Sequence, residues 1–183
     1  MKTYISILRG INVSGQKKIL MADLKKIYES LGFSDVVTYI QSGNVLFNFN
    51  KTNSESDLIQ TIEKAIQDEY GFQVPVLVFT IDFLKNTVND NPFLKEFEID
   101  TEKLHVTYLA ETPSIEKLDE INKFDFSPDR FCIIGRTVYV YCPGGYGNTK
   151  LSNTFFENKL KVKATTRNWK TTLKLIEIYS TLF

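Results

Sequence analysis

The chain has 183 residues, with 22 basic and 22 acidic side chains, so its formal net charge is zero. Apolar residues make up 43% and aromatic residues 13%, which excludes bulk disorder and supplies a core without disulfide or metal staples. The longest apolar stretches, such as Val74–Phe79, fall far short of the ~20 residues that span a bilayer, and the first nine residues lack the apolar core of a signal peptide. No membrane association and a cytoplasmic location are therefore expected.

Tyr4–Leu8 reads as a first strand, and Arg9–Lys18 as a glycine-containing loop. Leu20, Leu24, Ile27, Tyr28 and Leu31 form one helical stripe, stopped by Gly32. Val36–Ile40 and Val45–Phe49 read as strands joined around Ser42-Gly43-Asn44. Ser54 with Asp57 three residues later predicts a capping box. The second helix follows, striped by Leu58, Ile62, Ala65 and Ile66 and closed by Gly71. Val74–Phe79 is an apolar strand. The order βαββαβ is that of a ferredoxin-like sandwich.

The second half repeats this order in outline. Thr80 caps a short connecting helix through Val88, and the polar stretch Asp90–Lys103 reads as a linker. Leu104–Leu109 is a strand. Ser114 caps a helix whose Ile115, Leu118 and Ile121 point inward. Arg130–Cys142 is a hairpin turning at Gly135-Arg136, which suits a type II′ turn. In that register Cys132 faces Tyr139, and Cys142 lies three pairs away, ~10 Å along the strands, too far for a disulfide. Leu151, Phe155, Phe156 and Leu160 mark another helix, Val162–Thr165 a weak edge strand, and Trp169, Leu173, Ile176 and Ser180 a last helix. The expected class is α+β, two ferredoxin-like (βαββα) halves packed as one compact unit. The expected boundaries are 1–80, a connecting helix and linker at 81–103, and 104–183.

Charge is uneven along the chain: +3 over residues 1–50, −9 over 51–125, +1 over 126–143 and +5 over 144–183. Two basic ends suggest one positive face if they meet in space. Three loops are where chemistry could reside. The loop Arg9–Lys18 has Gly10 and Gly15 at P-loop spacing, but Gln16 stands where a P-loop needs lysine, which excludes that mechanism of nucleotide hydrolysis. Anion binding by its cations and backbone N–H groups survives. Pro143–Lys150 has three glycines, so its backbone can approach a ligand closely. Thr165–Lys170 offers Arg167, hydroxyls and Asn168, a natural helix cap. His105 is the single histidine, so a multi-histidine metal site is excluded; no metal and no cofactor are expected.

The segments Leu8-Arg9-Gly10-Ile11-Asn12-Val13, Thr38-Tyr39-Ile40-Gln41-Ser42-Gly43-Asn44-Val45 and Ala164-Thr165-Thr166-Arg167-Asn168-Trp169 resemble the signature segments of the bacterial domain of unknown function family 1697. The resemblance runs over essentially the whole chain, with Ser14 where a glycine is common. It implies a small α/β protein and no established activity.

Two readings of function follow. The preferred one is binding of a small phosphorylated or anionic ligand between the two halves. Arg167 clamps the anion, Arg9 and Lys17 add charge, Asn12 and Asn44 orient the ligand, and Ser42 and Asn168 complete the lining. No general base stands out, so a catalysed reaction is not assigned. The alternative is single-stranded nucleic-acid binding through Tyr4, Tyr39, Tyr139 and Tyr141 on open sheet faces, or an interaction scaffold. Against nucleic acid, strand 44–49 lacks the basic-glycine-aromatic core of an RNA-recognition strand, and net charge is zero. The sequence does not set the oligomeric state.

Overall fold

A computed structural model describes residues 1–50 and 53–183 of the chain. These divide into two units, Met1–Lys85 with Leu175–Phe183, and Asn86–Lys174.

The first unit runs β1 (Lys2–Leu8), α1 (Met21–Ser30), β2 (Ser34–Tyr39), β3 (Asn44–Phe49), α2 (Glu55–Tyr70) and β4 (Val76–Thr80). Its sheet is antiparallel in the order β2-β3-β1-β4, the ferredoxin-like arrangement. Local chemistry sets the helix ends. The Ser54 hydroxyl accepts the Asp57 N–H at 3.1 Å and the Asp57 carboxylate accepts the Ser54 N–H at 3.0 Å, so the capping box forms as its spacing predicts. Gly71 ends α2 at φ 74°, in the left-handed region that residues with a Cβ rarely enter. Leu24, Tyr28, Leu58, Ile62 and Ile66 project from the helices onto Tyr4, Leu8, Val45 and Phe47 of the sheet. Phe47 anchors this core, with Phe33 stacked at 4.4 Å and Tyr28 edge-on at 5.4 Å. The buried Tyr28 hydroxyl meets Ser6 Oγ at 2.7 Å, so neither polar group is left unpaired. Ile5 and Ile7, on the opposite face of β1, are also fully buried.

α3 (Ile81–Asn89) follows, its first turn held by Thr80 Oγ1, which accepts the Phe83 N–H at 3.3 Å. The stretch expected to be a plain linker is more ordered than its polarity implies. It contains 3-10 turns at Pro92–Lys95 and Thr101–Lys103, and both Asn91 and Phe93 are buried.

The second unit continues with β5 (Leu104–Leu109), α4 (Ile115–Ile121), β6 (Arg130–Ile134), β7 (Thr137–Tyr141), α5 (Asn153–Leu160) and β8 (Ala164–Asn168). Its sheet order, β6-β7-β5-β8, reproduces that of the first unit, and the weak edge strand expected at Val162–Thr165 lies instead at Ala164–Asn168, so the segment from Thr165 to Asn168 is strand rather than loop. The chain ends in α6 (Trp169–Leu182). Two ferredoxin-like orders in one α+β chain are therefore present. Cys132 pairs with Tyr139 in the register read from the turn, and both cysteines are free thiols.

Three expectations need correction. Ile115 is 79% exposed, because it is the first residue of a seven-residue helix whose inner face is carried by Leu118 and Ile121. On α6 the buried residues are Trp169, Thr171, Thr172 and Leu175, whereas Leu173 is exposed. The sequence stripe discounted threonines, yet Thr172 buries its methyl and pairs its hydroxyl with Tyr108 Oη at 2.9 Å. Finally, Tyr4 and Tyr139 are buried, so neither belongs to an open aromatic platform. Tyr4 stacks on Phe47, and Tyr139 Oη donates to the Thr87 carbonyl at 3.0 Å.

Candidate anion-binding loop

In the first unit, Arg9, Asn12, Lys17, Ser42 and Asn44 come to one end of the sheet, where β1 ends, β2 turns into β3 and β4 begins. The backbone explains how. Gly10, Asn12, Ser14, Gly15 and Lys17 all have positive φ, so the loop after β1 coils back on itself. Ser14 and Gly15 occupy the two central positions of a tight turn, with φ 49° and 76°, as a type I′ turn requires. That turn is closed by Val13 and Gln16, and the Asn12 N–H reaches the Lys17 carbonyl at 3.2 Å.

Asn12 fixes this loop. Its amide nitrogen donates to the carbonyls of Ile19 at 2.9 Å and Gln41 at 2.8 Å, and its oxygen accepts the Ile19 N–H at 2.9 Å. Asn44 does the same for the β2–β3 turn: it is fully buried, and its amide donates to the Tyr39 carbonyl at 3.0 Å and to Ser42 Oγ at 3.2 Å. Gly43 lets the two loops meet. A Cβ there would lie 2.7 Å from Ile11 Cδ1 and 2.8 Å from Leu8 Cβ. The Arg9 N–H donates to the Pro75 carbonyl at 2.9 Å, and Lys17 Nζ donates to the Gln73 carbonyl at 2.7 Å, which ties the loop to the entry of β4.

The charge of this loop is one-sided. Residues 9–18 carry Arg9, Lys17 and Lys18 and no carboxylate. Among the described residues Lys17 is held by a carbonyl rather than an acid, and Lys18 is exposed with no ion pair. The bracing carbonyls of Gln41 and Gln73 escaped sequence reasoning, since backbone groups leave no trace in side-chain identity. The asparagine in a glycine-rich loop was the available signal, because it tolerates left-handed φ and bonds backbone on both sides.

Arg167 and Asn168 belong to the second unit, on β8. The Asn168 oxygen accepts the Thr171 N–H at 2.8 Å and so starts α6, the capping role its type suits. Arg167 faces Val106 across the sheet and donates to the Thr166 carbonyl at 3.0 Å. Burial pushes its guanidinium down to about 10, with Tyr108 opposing the shift. The group still carries its charge at neutral pH.

The glycine-rich loop after β7 closes a further polar cluster in the same unit. Tyr146 stacks on His105 at 4.5 Å and donates to Thr166 Oγ1 at 3.0 Å. Thr166 in turn donates to Asn153 Oδ1 at 2.6 Å and meets Thr107 Oγ1 at 2.6 Å. Burial holds the His105 imidazole below its usual value, partly offset by the Lys103 carbonyl at 3.3 Å from Nδ1. Among the described residues there is no cluster of metal-ligating side chains, and no helix is long and apolar enough to cross a membrane.

The conserved bacterial protein SP0830 from Streptococcus pneumoniae has the same fold: TM-score 0.75 and 20% identity, over 97% of this chain and 98% of that one. No curated protein matches. A family model described as "Protein of unknown function (DUF1697)" matches residues 1–139, which include two of the three signature segments. By that match the chain belongs to the DUF1697 family.

Proposed function

We propose that the chain binds a small anionic ligand, of which a phosphorylated metabolite is the best fit, and that the loop at residues 9–18 is the part of the first unit that holds it. The observation that carries this reading is the combination in one loop of three cations, no carboxylate and a braced left-handed backbone. A braced loop backbone loses little entropy on binding, and phosphate oxygens accept both ammonium and backbone N–H donors. In this reading Asn12 and Asn44 act by holding the loop and turn in place, Lys17 and Arg9 supply charge, and Ser42 Oγ offers a hydroxyl at the rim. Arg167 and Asn168 are a separate donor pair on the second unit. No catalytic step is assigned.

Thermal unfolding with inorganic phosphate, glucose 6-phosphate and AMP tests the reading. A ligand at a hundred times its dissociation constant adds ~2.7 kcal/mol. At least one of the three should raise the melting temperature of the wild type and fail to raise that of Lys17→Gln/Lys18→Gln. No stabilisation by any of them, or equal stabilisation by sodium chloride at matched ionic strength, contradicts it. Stabilisation by oligonucleotides alone, falling steeply with salt, favours nucleic acid instead.

A further inference from the structure

The two sheets have four edge strands, β2 and β4 in the first unit and β6 and β8 in the second. An exposed edge invites pairing with another chain, and proteins blunt such edges with bulges, charges or caps. Three of the four are blunted here. The register of β2 slips between Ser34 and Val37, where Asp35 adopts φ 52°. The first N–H of β4, at Val76, is taken by the Glu63 carboxylate of α2 at 2.9 Å. The first N–H of β8, at Ala164, is taken by Glu157 of α5 at 3.0 Å, the same device in the second unit.

Among the described residues, β6 carries a single charge, Arg130 at its start, and has neither a bulge nor a side-chain cap on its strand N–H groups. Its register with β7 is unbroken over five pairs, and beyond Arg130 it is Phe131-Cys132-Ile133-Ile134, uncharged and apolar. The two-residue turn at Gly135-Arg136 makes Ile134 and Thr137 a hydrogen-bonded pair, so by alternation Cys132 and Arg130 also bond inward to β7. The N–H and C=O of Phe131 and Ile133 then point outward, and among the described residues no group of the chain accepts or donates to them. Near the Arg130 end stands Phe97, 92% exposed, next to Glu96, which grips the Arg130 guanidinium at 2.8 and 3.1 Å.

We propose that β6 is the pairing edge of a two-fold symmetric homodimer, in which two copies of β6 lie antiparallel and centred on Cys132. The strand is complementary to itself in this register. Phe131 exchanges both hydrogen bonds with the partner's Ile133, and Ile133 with the partner's Phe131, which satisfies all the outward groups. Charge agrees. The end entering β6 carries Asp125 and Asp129, and the turn leaving it carries Arg136. Antiparallel pairing about Cys132 sets the partner's Asp129 opposite Gly135, one residue from Arg136, twice per dimer. Sliding by one residue would turn the side chains to the wrong faces. Because each copy offers one unprotected edge, the assembly closes at two and does not grow into a fibre.

The register places Cys132 opposite the partner's Cys132 as a non-hydrogen-bonded pair, with Cα atoms ~4.5 Å apart, within disulfide reach. That gives the test. The full chain is measured by sedimentation velocity over a hundredfold concentration range, then treated with diamide, which takes up two electrons and two protons as two thiols join. The expected results are a species of twice 21.1 kDa and its covalent capture through Cys132. Cys132→Ser should remain a dimer and lose the capture. Cys132→Lys, which sets two ammonium groups on the two-fold axis, should be a monomer with an unchanged far-UV spectrum. A monomer at every concentration overturns the proposal, and so does a wild-type dimer that diamide fails to join through Cys132.

Discussion

The Asn12 amide nitrogen lies 2.8 Å from the Gln41 carbonyl, a bond across 29 positions of sequence that fastens the loop after β1 to the turn between β2 and β3. The same amide serves both the carbonyl and the N–H of Ile19. Only an asparagine or glutamine amide combines donor and acceptor in this way, and asparagine also accepts the φ of 56° that the site requires. Asn12→Ala leaves these backbone groups without their partner and should lower stability by ~1–3 kcal/mol. Urea unfolding should show a lower midpoint and an unchanged slope. An unchanged midpoint would mean that the loop is not held by this side chain.

Gly43 and Gly10 have nearly the same left-handed φ, 76° and 72°, in different surroundings. Nothing lies within 4 Å of a Cβ built at Gly10, whereas one at Gly43 meets Ile11 Cδ1 and Leu8 Cβ below 3 Å. Gly10→Ala should therefore cost only the left-handed strain, ~1 kcal/mol. Gly43→Ala adds a clash with a buried isoleucine and a strand residue, and should cost ~1–3 kcal/mol more. Equal losses in the two variants, read from chemical unfolding, would show that the 41–44 turn is free to move away from Ile11.

His105 makes stability depend on pH. Burial holds the folded-state imidazole below the usual 6.5, so the folded protein binds its proton more weakly than the unfolded chain. The contribution is complete above 6.5 and is lost as pH falls through the window below it, toward the folded value. His105→Gln should flatten that part of the profile. Urea midpoints taken from about pH 7.5 to about pH 5 should fall more steeply for the wild type than for the variant, since His105 titrates in this range. Parallel curves would show that the imidazole is as accessible when folded as when unfolded.

Local signals were the legible part of the fold. Ser54 and Asp57 announced the start of α2, Gly71 its end, and Gly135-Arg136 the β6–β7 register, because each acts within a few residues of itself. What depends on partners distant in sequence was not legible. The N–H of Val76 finds Glu63 thirteen residues back, and a carboxylate on a helix carries no mark that it will cap a strand. β8 read weakly because Thr165, Thr166 and Arg167 are polar, yet Thr166 is held by Thr107, Tyr146 and Asn153 from three other elements. Ile115 read as core because its spacing from Leu118 is helical, but a helix of one and a half to two turns leaves its first residue outside. For the candidate site, residue types picked out the loop and its cations. The task of Asn12 emerged only when the loop and the 41–44 turn were seen side by side.

The most direct test of the anion-binding account is a titration of the 15N-labelled chain with AMP and, separately, inorganic phosphate, followed by amide chemical shifts. The account predicts saturable shifts concentrated in residues 9–18 and 41–44, absent from Lys17→Gln/Lys18→Gln. Amides of those two segments that stay unmoved while the rest of the spectrum is intact would contradict it.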